Sequence, residues 1–385
     1  MISARRCVCS LFAFISILFA SFTSAAQTVS AQPAGPRTQA VQVTDKQLAG
    51  LLAVEMKTLV DKDEFSGVVL VARDGKSIYS GAFGMASKSF EVPNRVDTQF
   101  NLASVGKMFT AVAVLQLVQE GKLSLEDPAS KYVPEEWLAP EYGSKIKIKH
   151  LLTHTSGYGT YFENLNKQSD VVFFRDLGDY KKLIRSEVPS FEPGTKWNYS
   201  NTGMVLLGII VEKVSGEEYF EYLNKHIFGP AGMTKTVALD KDSAIPGRST
   251  GYAKVKVGDT TIFRENTVSR VLKGNPSGGI YSTADDLLRF DQALRSHKLL
   301  SAELTETALS GKPELNSAGY GYGFFVSNDK ELGRLAGHGG DGTGINCQFK
   351  MYLDKGYTVA VLANYGAPSA NAVEKMIQGL IARAK

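Results

Sequence analysis

Cysteine is nearly absent: three residues in 385, two of which, Cys7 and Cys9, fall in an apolar leader. With the leader removed Cys347 stands alone, which excludes an intrachain disulfide and leaves the fold to rest on its core. Histidine is scarce too, with five residues. His150, His154, His226 and His297 lack metal-ligand spacing and no H-E-x-x-H occurs, so neither a metal nor a cofactor is expected. His154 reads as a structural hydrogen-bonding residue, and Cys347 as a small buried side chain in a strand. Lys and Arg (43) nearly balance Asp and Glu (39) and form no stripe, which argues against nucleic-acid binding. No internal repeat is present, which argues against a repeat architecture.

What is present is an ordinary globular balance, 43% hydrophobic and 21% charged, with length for one large domain or two intimate ones. Residues 1–26 read as a secretory signal. Arg5 and Arg6 form the charged region, Val8 to Phe22 the apolar region, and Ser24-Ala25-Ala26 the cleavage site. The expected location is therefore periplasmic or secreted, with no stable membrane span after cleavage. Residues 27–44 read as a flexible lead-in. The formal charge of +4 includes the two leader arginines, which leaves +2 on the mature chain.

Asp45 to Asp61 has helical periodicity, with Thr44 or Asp45 as cap. Gly67–Arg73 and Ser77–Phe83 flank Asp74-Gly75, a strong hairpin signal. From about Phe100 to Leu309 the pattern is mostly helical, with helices at Lys149–His154, Thr202–Ser215, Glu217–Ile227 and Thr283–Arg295. Strand periodicity returns at Gly321–Val326, Leu332–His338, Ile345–Leu353 and Tyr357–Ala363, and Ala370–Arg383 closes the chain as a helix. This order predicts an α+β fold: an antiparallel sheet built from both termini, flanked by helices, with a mostly helical domain inserted. The expected division is a sheet subdomain (45–99 and 311–385) and a helical subdomain (100–310), with the site in the crevice between them.

Three short motifs fall where such a crevice needs them. Ser104 starts an almost wholly apolar helix that ends at Gly121, and Lys107 follows one turn later on the same face. A serine hydroxyl needs a base to become a nucleophile, and a desolvated lysine can be that base. S-x-x-K alone is weak, since Ser144/Lys147 and Ser327/Lys330 also match. Tyr199-Ser200-Asn201 precedes a helix on a loop. Its phenol can relay a proton, with a nearby ammonium expected to lower its pKa, and its carboxamide can hold a substrate amide through both donor and acceptor. Tyr222-Leu223-Asn224 shares the pattern. His338-Gly339-Gly340, followed by Asp341, is the chain's only His-x-Gly, and its glycines allow a substrate to lie along a strand edge. A backbone N–H after them can form an oxyanion hole with that of Ser104.

Together the motifs resemble the serine β-lactamase and penicillin-recognising hydrolase family, class C-like branch, which holds D-alanyl-D-alanine carboxypeptidases, D-aminopeptidases and esterases. The likeness runs from about Phe65 to Asn364. It includes G-K-L-S-L-E-D-P-A-S-K-Y-V-P-E from Gly121, H-L-L-T-H-T-S-G from His150, G-P-A-G-M-T-K-T from Gly229 and S-G-G-I-Y-S-T-A-D-D-L from Ser277. The resemblance implies Ser104 as acylated nucleophile, with Lys107 and Tyr199 sharing acid and base work. It implies Asn201, His338, Gly339 and Gly340 as substrate-binding, and the backbones of Ser104 and Asp341 as oxyanion hole. His338-Gly339-Gly340 stand where β-lactamases carry Lys-Thr-Gly. A mostly neutral histidine and the Asp341 carboxylate weaken the case for an anionic substrate. The expectation is an exported serine hydrolase acting on a small ester or a D-amino-acid-containing amide or peptide. The alternatives are a class C-like β-lactamase or a penicillin-binding sensor that acylates without turnover. Oligomeric state stays open.

Overall fold

The structure is a computed structural model that describes residues 42–165, 167, 174–238, 240, 242–268 and 273–384. The signal and most of the lead-in expected at residues 1–44 lie outside the described residues. Six strands form the main sheet: β1 (Gly67–Arg73), β2 (Lys76–Phe83), β3 (Phe325–Asp329), β4 (Gly333–Gly342), β5 (Ile345–Tyr352) and β6 (Tyr357–Ala363). Their order is β2-β1-β6-β5-β4-β3, with every neighbour antiparallel. The first two strands thus join the last four, as the two separated stretches of strand period require. Asp74 (φ 48°) and Gly75 (φ 75°) are both left-handed, the pair a type I′ hairpin turn needs.

The sheet is covered on both faces, and the residues of its central strands sort by parity. Val68, Leu70, Ala360 and Leu362 join the core under the inserted helices. Val69, Val71, Val359 and Val361 join the core under α1 (Asp45–Asp61) and the closing helix (Ser369–Ala382). Thr44 caps α1 in a reciprocal box with Gln47. The centre of the inserted part is α2 (Lys107–Gln119), in which every residue from Lys107 to Leu117 is buried. An all-round apolar helix is stable only when covered, and Phe109 shows how: its ring meets Phe228 at 5.1 Å and Phe290 at 4.9 Å, both edge-on. Across α2 lies α3 (Asn201–Ser215), N-capped by Ser200 Oγ and ended by left-handed Gly216.

Several expected boundaries move. Gly321–Val326 is mainly turn, with Gly323 at φ 81°, and the edge strand starts only at Phe325. β4 extends four residues past His338, because its pairing with β5 continues to Gly342↔Ile345. Lys149–His154 is shorter, Ile148–Leu152, and His154 is left-handed at φ 61°. A hairpin of Tyr252–Val257 and Thr260–Glu265 lies within the stretch read as helix and loop. Alternating charged and apolar residues around Gly258-Asp259 carried its signal.

Candidate active site

Ser104 is not the first residue of α2. It lies in a 3₁₀ turn, Ala103–Gly106, that feeds the helix, and Ala103 just before it is left-handed at φ 44°. A non-glycine residue there costs about 1–3 kcal/mol and persists only when neighbours fix it. They do: Ala103 N–H donates to Asn101 Oδ1 (2.9 Å), and Ala103 O accepts from Gly279 N–H (3.2 Å). Two glycines let backbone close on this turn. A Cβ on Gly278 would stand 2.3 Å from Ala103 O, and one on Gly340 would stand 2.2 Å from Leu102 O. Gly340 therefore seats β4 against the turn, which brings Asp341 to the wall of the same cavity as Ser104. β4 pairs with β3 only as far as Gly337↔Phe325, so beyond it the outer edge of His338 to Gly342 has no strand partner among the described residues.

Lys107 is fully buried, and three oxygens face its Nζ: Ser104 Oγ at 3.0 Å, Asn201 Oδ1 at 2.8 Å and the Ser277 carbonyl at 2.5 Å. Burial holds the amine well below its ordinary 10.5. A neutral amine has two N–H groups and one lone pair. In that form Asn201 Oδ1 and the Ser277 carbonyl, which can only accept, take the two hydrogens, and the lone pair is left for the Ser104 hydroxyl. Asn201 was expected to offer a substrate both donor and acceptor. Its Oδ1 accepts from Lys107 Nζ and one Nδ2–H reaches Thr160 Oγ1 at 3.3 Å, while the residue also borders the Ser104 cavity, so one lone pair and one N–H remain beyond these contacts.

The Tyr199 ring stands 4.8 Å from Lys107 Nζ. The expected lowering of its pKa is reversed: burial pushes the phenol above its ordinary 10, and a hydrogen bond with the Ser104 side chain opposes this only in part. The cause is burial of the phenol itself, which penalises the phenolate. His338 is buried and does not line the Ser104 cavity. Its Nδ1–H donates to Gly339 O (2.6 Å), its Nε2 accepts from Tyr320 O–H (3.2 Å), and burial holds it neutral with a pKa of about 3. Its ring stands 6.1 Å from that of Tyr199. Cys347 is buried in β5, with Sγ–H donating to Asn101 O at 3.3 Å.

Two further sets of residues support the site, the first of them missed by sequence reasoning. The first holds the Ser277 carbonyl: Asn275 Oδ1 accepts from Ser277 N–H (2.8 Å) and Oγ–H (2.7 Å), while Asn275 Nδ2–H donates to Tyr161 OH (2.8 Å). The second is His154, the structural hydrogen-bonding residue expected from the sequence: its carbonyl accepts from Asn198 N–H (2.9 Å) and its Nδ1 accepts from Ser200 N–H (3.2 Å), so it brackets Tyr199 in the chain. Its placement inside H-L-L-T-H-T-S-G was the available signal. A cavity of about 490 Å³ opens at Ser104, walled by Tyr161, Asn201, Asn275, Gly279, Asp341 and Ile345 among others.

The Beta-lactamase family profile matches residues 52–382. The chain belongs to this family. It is 33% identical over 325 residues to Penicillin-binding protein 4* of Bacillus subtilis (strain 168), covering 80% of this chain and 70% of that protein. It is 30% identical over 316 residues to Esterase EstB of Burkholderia gladioli, covering 72% of this chain and 78% of that protein. Among solved structures, a penicillin binding protein from Bacillus halodurans superposes with TM-score 0.76 at 30% identity, covering 84% of this chain and 98% of that one. The antiparallel sheet with its inserted helices is thus the architecture of this family.

Proposed function

We propose that this serine hydrolase cleaves an uncharged ester through an acyl-enzyme on Ser104. The observation that carries the reading is the buried Lys107 amine, with two hydrogens spent on acceptors and its free face 3.0 Å from Ser104 Oγ. Lys107 takes the hydroxyl proton as Oγ bonds to the carbonyl carbon. The backbone N–H groups of Ser104 and Asp341 receive the oxyanion. Tyr199, protonated at neutral pH because burial raises its pKa, gives its proton to the departing alkoxide, and the proton on Lys107 restores it. Water then attacks the acyl carbon and releases the acid. Asn201 holds the amine in place, Gly339 and Gly340 leave room along the strand edge, and His338 supports Tyr199.

The neutral, buried His338 supports the choice of an uncharged substrate, since it offers no fixed cation to a substrate carboxylate. The esterase among the similar proteins points the same way. An amide or peptide with a free amine is the second reading, favoured by the exposed Asp341 on the cavity wall. Export through the leader is part of the proposal, checked by N-terminal sequencing of secreted protein. Among the described residues, no helix is long and apolar enough to cross a membrane.

The test is a side-by-side assay of a short-chain p-nitrophenyl ester, nitrocefin and a D-alanine p-nitroanilide, each repeated with Ser104→Ala. The expected result is fastest turnover of the ester, abolished by Ser104→Ala. Faster turnover of nitrocefin would replace the reading with a β-lactamase. A stable adduct without product on all three would replace it with a penicillin-binding sensor.

A further inference from the structure

Trp197 and Phe325 are 40% and 42% exposed, although large aromatic rings are usually well covered. They are neighbours, with centroids 6.5 Å apart. Tyr199 stacks parallel to Phe325 at 6.4 Å and lies 6.4 Å from Trp197. Buried rings support the pair from below: Tyr320 meets Phe325 edge-on at 4.8 Å and His338 meets it at 4.9 Å. Single exposed aromatics need no explanation, but a braced pair continuous with a proton donor does. None of these three rings lines the 490 Å³ cavity. Ser104 therefore borders two surfaces: the cavity walled by Tyr161 and Asn201, and an open aromatic shelf reached past Tyr199, whose ring stands 4.8 Å from the same Lys107 nitrogen that lies 3.0 Å from Ser104 Oγ.

The chemistry separates the two surfaces. In the acyl-enzyme reading, the Ser104 Oγ–C bond forms first to give the oxyanion, the ester C–O bond then breaks, and the alcohol leaves with the Tyr199 proton. The alcohol must then lie beside Tyr199, where its neighbours are Trp197 and Phe325, and the acyl group takes the cavity. We propose that Trp197 and Phe325 form the leaving-group subsite, and that the preferred esters carry an aromatic or bulky apolar alcohol. This inference rests on the acyl-enzyme reading. Phe325 also borders a second space of about 520 Å³ with His338 and Gln348, which gives room to an alcohol larger than one ring.

The experiment compares kcat/KM for the benzyl and ethyl esters of one acid in wild type, Trp197→Ala and Phe325→Ala. The benzyl-to-ethyl ratio is expected to fall about tenfold in each alanine variant, the scale of losing one aromatic contact and its buried area. Trp197→Tyr, which keeps a ring, should retain most of the ratio. The ratio of ethyl acetate to ethyl butyrate reads the acyl side and should not follow. A benzyl-to-ethyl ratio equal to wild type in both alanine variants, or an acyl ratio that shifts as much, overturns the shelf while leaving the nucleophile intact. Ester turnover that is absent in wild type or survives Ser104→Ala overturns the acyl-enzyme reading and the shelf with it.

Discussion

Removing one oxygen from Tyr199 separates the acid from the base. Tyr199→Phe leaves the ring in place, 4.6 Å from His154 and 6.4 Å from Phe325, so packing survives. What is lost is a proton donor. Burial holds the phenol above its ordinary 10 and the Lys107 amine well below its ordinary 10.5, so near pH 7 the phenol keeps its proton and the amine is the more readily freed base. The loss then falls on departure of a basic leaving group and not on activation of Ser104. A positioned general acid contributes about 10²–10⁴-fold, and kcat/KM for an ethyl ester should fall by that factor. The p-nitrophenyl ester of the same acid releases an anion that needs no proton, and its loss should stay below about tenfold. A pH-stat reads the first reaction, absorbance of p-nitrophenolate the second, and a thermal melt checks that the variant is folded. Equal losses on both esters would refute the reasoning, because Tyr199 would then be activating Ser104 itself.

Gly340→Ala places a methyl carbon 2.2 Å from Leu102 O, so β4 must retreat from the Ser104 turn. A shift of about 1 Å costs on the order of 10²-fold, and kcat should fall that far while urea unfolding shows a cooperative, folded protein. His338 has a folded pKa of about 3 against an ordinary 6.5, so as pH falls below 6.5 the unfolded chain takes a proton that the folded one refuses. Its contribution is present above pH 6.5 and is lost toward pH 3, by about 1.4 kcal/mol per pH unit at most. His338→Gln should make the stability difference between urea titrations at pH 7 and pH 4.5 smaller; an unchanged difference would show that the ring is solvated. Lys107 lowered well below 10.5 predicts that kcat/KM, which needs the free amine, levels off well before pH 10.5. A rise continuing to 10.5 would mean that the resting nitrogen is an ammonium.

The parts of this molecule legible in its sequence are those set by local chemistry. Asp74-Gly75 announces its hairpin because few residue pairs accept two left-handed conformations. The apolar run behind Lys107 announces a buried helix, and the two blocks of strand period announce a sheet closed from both ends. The obscured parts depend on contacts distant in sequence. The acceptor that helps orient Lys107 is the Ser277 carbonyl, 170 residues away, and a backbone oxygen leaves no mark in a side-chain pattern. The Asn201 carboxamide reads in sequence only as a substrate contact, and its bond to Lys107 was hidden because that lysine faces it from another helix. The Tyr199 pKa was misjudged in direction for the same reason: proximity to a lysine was readable, but the burial of the phenol itself was not. His338-Gly339-Gly340 was read as room for substrate. Gly340 also has a packing duty against Leu102, visible only once β4 and the Ser104 turn are placed together.

The central claim is that a covalent acyl group forms on Ser104 and turns over. The direct measurement is intact-mass spectrometry of enzyme quenched at short times after mixing with excess p-nitrophenyl ester, followed by peptide mapping, for wild type and Ser104→Ala. The account predicts a mass gain equal to one acyl group on the peptide that contains Ser104, which decays as substrate runs out and is absent from the variant. An adduct on another residue, or product formation that continues in Ser104→Ala, would contradict it.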